Sequence, residues 1–395
     1  MDIKRLFRIL VIANFFLYLG FNVWQAVFNN FAVEELGVNA AQVGVVQSLR
    51  EVPGLLGFVL GFLVLLLTEM RVMGLSVLLT GLGVVVTGWS GSLGLFILGT
   101  MITSVGFHFF YPSNASVVLM TVGKAEAPKV LGRLNSVAAF AAVVGTLAVW
   151  ILVDGIHYGP VNIPAWGYRT LLVVIGGIVV VGSLFSIRSS WQGGGQYQRR
   201  KVVFRRDYGL YYMLTFMLGM RRHIFSTFAI FLLVQEYGMD VRQTAALLLV
   251  NSLISIYTAG QLGRVVARFG ERKVLTWNFA GLVGVFLGYA YIKSLAVLCL
   301  LFVLDSIFFG FNLAVDSYFQ KIARSPEEIT SNVSMAQTIN HISALVVPWL
   351  GGLLWVGVSP TATFLAGTAV AVASLVLAQF IPTHPAPKPV PLPLG

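Results

Sequence analysis

Charge and cysteine are what this sequence has least of. Only 10% of its 395 residues are charged, against about 25% in soluble domains, and that scarcity excludes a water-coated globule. The single cysteine, Cys299, excludes an internal disulfide and any multi-cysteine metal site. No GxxxxGK[ST] loop and no HExxH helix occurs, so an ATPase or a zinc protease has no support. No nucleophile–base pair is readable either, which leaves an intramembrane enzyme without a basis. Long hydrophilic stretches are also missing, with one exception, Arg188 to Asp207 (RSSWQGGGQYQRRKVVFRRD).

What is abundant is apolar sequence, 57% of the chain. Apolar segments fall at about 7–33, 41–67, 72–90, 92–119, 131–154 and 168–187, and resume at about 208–235, 243–266, 273–291, 294–320, 329–355 and 359–381. Each is close to the roughly 20 residues that a membrane-crossing helix needs. The expected fold class is therefore all-α and integral to the membrane, with twelve transmembrane helices in two six-helix bundles. The expected domains are 1–187, a basic linker 188–207, a second bundle 208–381, and a Pro-rich disordered tail 382–395. The basic N-terminus MDIKRLFRIL leads into an apolar run too long for a signal peptide, and reads as a retained first span.

The basic residues fix the orientation. With the N-terminus cytoplasmic, twenty Lys and Arg fall on that side and only Arg169, Arg242 and Lys293 on the other. That bias predicts both termini in the cytoplasm of a multi-pass protein of the cell (inner or plasma) membrane. It also accounts for the net charge of +11, so no nucleic-acid partner is implied.

One apolar stretch carries charge at its middle: Tyr211 to Glu236, with Arg221, Arg222 and His223 together. A charge at the centre of a membrane helix costs about 2.5–3.5 kcal/mol on insertion scales. Two arginines there need a wet cavity, an anion or a buried carboxylate.

The two halves repeat. Glu35-Leu-Gly37 recurs as Glu236-Tyr-Gly238, Gly81, Leu82 and Gly88 as Gly281, Leu282 and Gly288, and Gly106-Phe107 as Gly310-Phe311. The loop Gly263-Arg264-Val-Val-Ala267-Arg268-Phe-Gly270-Glu271-Arg272-Lys273 resembles the Gly-x-x-x-Asp-Arg-x-Gly-Arg-Arg loop of the major facilitator superfamily of secondary transporters, with Ala267 in place of the aspartate. Its first-half counterpart, Thr68-Glu69-Met70-Arg71, is degraded. Arg50-Glu51-Val-Pro53-Gly54, Gly106-Phe-His108 and Arg221-Arg222 resemble a bacterial subgroup. The resemblance covers residues 1 to about 381. It implies no enzyme activity, no cofactor, no metal, a monomer in a lipid bilayer, and a gating loop of Gly263, Arg264, Arg268, Gly270 and Arg272.

It further implies that spans 1, 4, 7 and 10 line a cavity, and polar residues in those spans do recur at helical spacing. They are Asn22, Gln25 and Asn29; Ser104, His108 and Tyr111; Thr215, Arg222 and Ser226; and Asp305, Asn312 and Asp316. With Arg50, they are the candidate substrate-binding set: Arg222, Arg50, Asn22, Gln25, Asn29, His108, Tyr111, Ser226 and Asn312. Asp305, Glu51 and His223 are the candidates for proton coupling. Adjacent helical residues diverge by about 100°, so Arg221 and Arg222 serve different purposes, and Arg222 is the favoured ligand. The excess of guanidinium suits a substrate bearing a carboxylate, phosphate or sulfate. The expected function is secondary transport of a small anionic organic solute by alternating access, coupled to protons as symport or antiport. The alternatives are an exporter of amphipathic or cationic compounds, which 29 Phe, 13 Tyr and 8 Trp permit, and a non-transporting sensor or assembly factor.

Overall fold

A turn-and-cap device repeats at the sequence level and sets two of the helix starts. Gly37 and Gly238 both take φ near +60° (60° and 63°), a backbone that L side chains rarely adopt. Two residues later a reciprocal cap begins in each copy. Asn39 and Gln42 exchange backbone-to-side-chain hydrogen bonds of 2.9 and 3.0 Å, as do Asp240 and Gln243 at 3.1 and 2.8 Å. Each cap satisfies donors that the first turn of a helix leaves open.

The computed structural model describes residues 3–58, 66–122, 126–158, 161–187 and 204–382. Residues 188–203 of the expected linker, Gly61 with its neighbours in the expected second span, and 383–395 of the expected tail lie outside the described residues. In order the elements are α1 (Ile3–Asn30), which closes in a π-helical turn, α2 (Ala40–Arg50), α3 (Val52–Leu55), α4 (Glu69–Trp89), α5 (Leu93–Thr121) and α6 (Ala127–Leu152). An antiparallel hairpin follows, β1 (Ile156–Tyr158) with β2 (Val161–Ile163), in register Ile156 to Ile163. Then come α7 (Gly167–Ile187), α8 (Gly209–Gln235), α9 (Val241–Phe269), α10 (Glu271–Tyr291), α11 (Leu295–Gly310), α12 (Leu313–Ile322), α13 (Pro326–Gly357) and α14 (Pro360–Ala378).

Among the described residues, ten helical stretches are long and apolar enough to cross a membrane, with α11 and α12 together making one of them, against twelve expected. Within the described part of the second expected span the helix breaks after Arg50: α2 ends there, and the four-residue α3 and a 3₁₀ turn, Leu56–Phe58, follow. Pro53 accounts for the break, since it lacks the N–H of a continuing helix and its ring crowds the preceding turn. The eighth expected span coincides with α9, 29 residues long and so long enough to cross.

The chain divides into two compact units: Met1–Gln198 with Val234–Leu249, and Arg199–Leu233 with Val250–Gly395. In the first, contacts tie the 234–249 segment down. Arg242 donates to the Gly155 carbonyl beside the hairpin and faces Asp154 Oδ2 at 3.4 Å, and Asn30 Nδ2 donates to Met239 O at 2.9 Å. The unit's core packs Leu10 and Leu17 of α1 against Met73 and Val77 of α4, Phe110 and Val117 of α5, and Val179 of α7. Lipid tails are as apolar as leucine, so helices within a bilayer associate by close packing rather than by escape from water. Gly81 of α4 shows how: a Cβ there would meet Val180 N at 2.8 Å and Gly176 O at 2.9 Å, so the backbones of α4 and α7 touch.

The second unit solves the same problem with rings. A Cβ on Gly281, the repeat partner of Gly81, would meet the Phe308 ring tip at 2.2 Å, and one on Gly367 would meet the Phe286 ring at 2.3 Å. Phe225 stacks on Phe302 and meets Tyr289 and Phe286 edge-on. Outward-facing side chains such as Trp89, Phe140, Phe185, Trp277 and Val356 are exposed and apolar, the surface a bilayer accepts.

Candidate functional site

Each unit places an ionic cluster beside an interrupted helix. In the first unit the cluster stands at the end of α2. Arg50 Nε and Nη2 reach Glu51 Oε1 at 3.2 and 2.8 Å, and His108 Nε2 of α5 faces Glu51 Oε2 at 3.6 Å. Ser104, one turn before His108, donates its hydroxyl to the Arg50 carbonyl. His108 Nδ1 lies 3.0 Å from both Ser104 Oγ and Ser104 O. A carbonyl only accepts, and the Ser104 hydrogen is already given to Arg50, so the network assigns the N–H to Nδ1. The lone pair on Nε2 then points at a carboxylate. Pro112 lies inside the continuous α5 one turn after His108.

The second unit places its cluster between α8 and α11. Arg221 is 1% exposed, and its Nη1 donates to Asp305 Oδ1 at 2.6 Å. Arg222 is exposed, and its guanidinium lies over the Phe309 ring, 4.8 Å from the centroid. The same ring stands 5.9 Å from the Arg221 guanidinium. His223 is buried next to them on α8. Directly after Phe309 the helix breaks: α11 stops at Gly310, and Phe311 N and Asn312 N bond back three residues, to Phe308 O and Phe309 O, at 3.1 Å each. Gly310 sits at this break because Leu262 of α9 occupies the space of a Cβ. The break moves Asn312 and Asp316 off the continuous helix that their spacing from Asp305 predicts. Asn312 is half-buried and Asp316 exposed.

The other expected residues are scattered in environment. On α1, Asn22 is half-buried with its amide on Tyr18 O at 2.7 Å, Gln25 is exposed, and Asn29 is buried. Tyr111 and Ser226 are exposed. In the gating loop, Gly270 takes φ 80° between α9 and α10, and Gly263, Arg264 and Arg268 are exposed while Arg272 is half-buried.

Three residues that the sequence reading passed over make the tighter contacts. Glu271, next in the loop, accepts from Lys321 Nζ at 2.8 Å and Ser317 Oγ at 2.7 Å, tying the loop to α12. Its place directly after a glycine at a helix start was the available signal. Phe309 stands four residues after Asp305, on the same face. Glu328, buried at the start of α13, accepts from Arg205 at 2.6 and 2.8 Å and from Tyr208. Burial pushes the Glu328 carboxyl up, but hydrogen bonds from Tyr208 and Arg205 outweigh it and hold the group below its ordinary value.

The sequence pattern of the Major Facilitator Superfamily matches residues 10–325, and again 211–394. The chain belongs to that superfamily, whose members act by transport rather than catalysis: it is a multi-pass membrane protein that moves small molecules across the bilayer. Among curated protein sequences none matches the chain. Solved structures do. A point mutant of the nucleoside transporter NupG superposes with a TM-score of 0.78 at 13% identity, over 95% of this chain and 99% of that one. A bacterial homolog of the human lysosomal transporter Spinster, inward-facing and occupied, superposes with a TM-score of 0.70 at 13% identity, over 96% and 95%. At that identity the likeness is one of fold.

Proposed function

We propose that the protein carries a small anionic organic solute by alternating access, with proton movement coupled to it as symport or antiport, through twelve spans arranged as two six-helix bundles with both termini cytoplasmic. The observation that carries the reading is the concentration of guanidinium in the second cluster. Arg221 and Arg222 both lie near the Phe309 ring, and the buried Arg221 gives Asp305 a single nitrogen, so two of its donor nitrogens are left for a solute to satisfy. Asn22, Gln25, Asn29, Arg50, Tyr111, Ser226 and Asn312 are proposed as further polar contacts along the path. Glu51, which His108 faces at 3.6 Å, is proposed for proton coupling together with Asp305 and His223. The loop from Gly263 to Arg272 gates the cytoplasmic side.

Transport by purified protein in vesicles tests the reading. A pH gradient should drive accumulation of small organic anions and not of their neutral or cationic analogues. Arg222→Gln should lower anion uptake at least threefold with protein yield unchanged. Equal uptake of the neutral analogues would reject the anion reading in favour of export of amphipathic compounds.

A further inference from the structure

The Arg221 side chain spends only one of its three nitrogens on Asp305. Nη1 makes the ion pair at 2.6 Å, whereas Nε and Nη2 are buried and find no acceptor among the described protein groups. Those two nitrogens share the edge of the guanidinium that grips a carboxylate side-on, through two parallel N–H···O bonds. A buried charged donor without an acceptor is unfavourable, and here the unmet pair has the shape of a specific ligand group. We propose that the Nε/Nη2 edge of Arg221 is the receptor for the carboxylate of a monocarboxylate solute, and that Arg222, near the same Phe309 ring, balances its charge. This rests on the anion-carrier reading above and narrows it.

Three features select the monocarboxylate. The two guanidiniums and Asp305 together carry one net positive charge, which a monoanion cancels and a dianion overshoots. The unmet edge is planar, matching a carboxylate's two oxygens better than the tetrahedral face of phosphate. Asp305 already sits on the adjacent nitrogen, so any second anion is held close to a like charge, and a dianion is opposed the more strongly. The break of the helix at Phe311–Asn312, two to three residues after Phe309, is the kind of discontinuity that shapes solute sites in transporters.

The test is thermal unfolding of the purified full-length protein, titrated at fixed ionic strength with acetate or benzoate and, in parallel, with acetamide, benzamide or inorganic phosphate. Both carboxylates should raise the unfolding temperature, and the two amides and phosphate should not. Arg221→Lys keeps a cation opposite Asp305 but loses the planar edge, and should weaken benzoate binding at least tenfold. Arg222→Gln should weaken it only three- to fivefold. Asp305→Asn keeps the shape and removes the opposing charge, so it should tighten benzoate binding at least threefold. This arm stands even if Arg221→Lys folds poorly. Benzoate binding that survives Arg221→Lys and is lost in Arg222→Gln overturns the assignment while leaving an anion carrier in place. Phosphate stabilising as well as benzoate overturns the monocarboxylate class alone. Amides stabilising as well as carboxylates removes the anion-carrier reading itself.

Discussion

The two ionic clusters are built from the same ingredients and differ in how far they are removed from solvent. In the first unit the arginine is sequence-adjacent to its acid: Arg50 keeps 22% of its side chain exposed while bonding Glu51. In the second, Arg221 is 1% exposed and its acid, Asp305, comes from a different helix. The first ion pair therefore holds together locally, whatever the neighbouring helices do. The second exists only while α8 and α11 are packed, and its charges depend on each other completely. Exposure also separates their chemistry. Under the proposed function, the part-exposed cluster would serve proton exchange, and the dry guanidinium with its unmet edge would capture the anion.

The sharpest way to break that comparison is to remove one charge from each cluster. Arg221→Gln strands a buried Asp305 and should cost roughly 3–5 kcal/mol, seen as loss of folded yield, and Asp305→Asn in the same chain should restore it. Glu51→Gln should cost about 1–3 kcal/mol, because Arg50 retains solvent. Equal losses in the two variants would show that the clusters do not differ in burial in the folded protein. The glycine packing gives the next contrast. Gly81→Ala drives a methyl into the α7 backbone and should cost about 1–3 kcal/mol. Gly281→Ala meets the end of a Phe308 ring that can turn aside, and should cost less in the same denaturation assay. If the second variant were the weaker protein, ring packing would be the stiffer of the two solutions.

The smallest effect expected is a pH dependence at the start of α13. Glu328 is held below its ordinary value when folded, so its contribution is complete above the unfolded carboxyl pKa of about 4.3. It disappears as pH falls through the lower, folded value. Stability measured from pH 6 down to pH 3 should fall less steeply in Glu328→Gln than in the parent. Parallel curves would mean that the Arg205–Glu328–Tyr208 contacts are not formed in solution.

Much of the architecture was legible because membrane helices announce themselves: long apolar runs, basic flanks, and the paired turns at Gly37 and Gly238. The divergence of Arg221 and Arg222 followed from helix geometry alone, and the separation is plain in the structure, one buried and one exposed. What composition could not give was where helices stop. Nothing at Phe311–Asn312 marks a breaker as strongly as Pro53 does. Gly310 reads as one of many membrane glycines until Leu262 is seen in the space of its Cβ. Glu271 and Glu328 were passed over for a related reason. Their importance lies in partners 46 to 123 residues away, and no local pattern carries that information.

The interrupted helix has an electrical consequence. α11 has 16 residues, a length of about 24 Å at 1.5 Å per residue, which is less than the roughly 30 Å of a bilayer's hydrocarbon. Tilting shortens its reach further. If α11 begins at one membrane face, its break lies at hydrocarbon depth, where open backbone persists only under protein or water. Water reaching that far would compress the voltage drop into the remaining thickness, and an anion at Arg221 would then sit part-way down the field. A full crossing is worth about 2.3 kcal/mol per charge at 100 mV, so solute affinity in polarised vesicles should change with membrane potential even before anything is carried across. An affinity indifferent to voltage would place Arg221 outside the field.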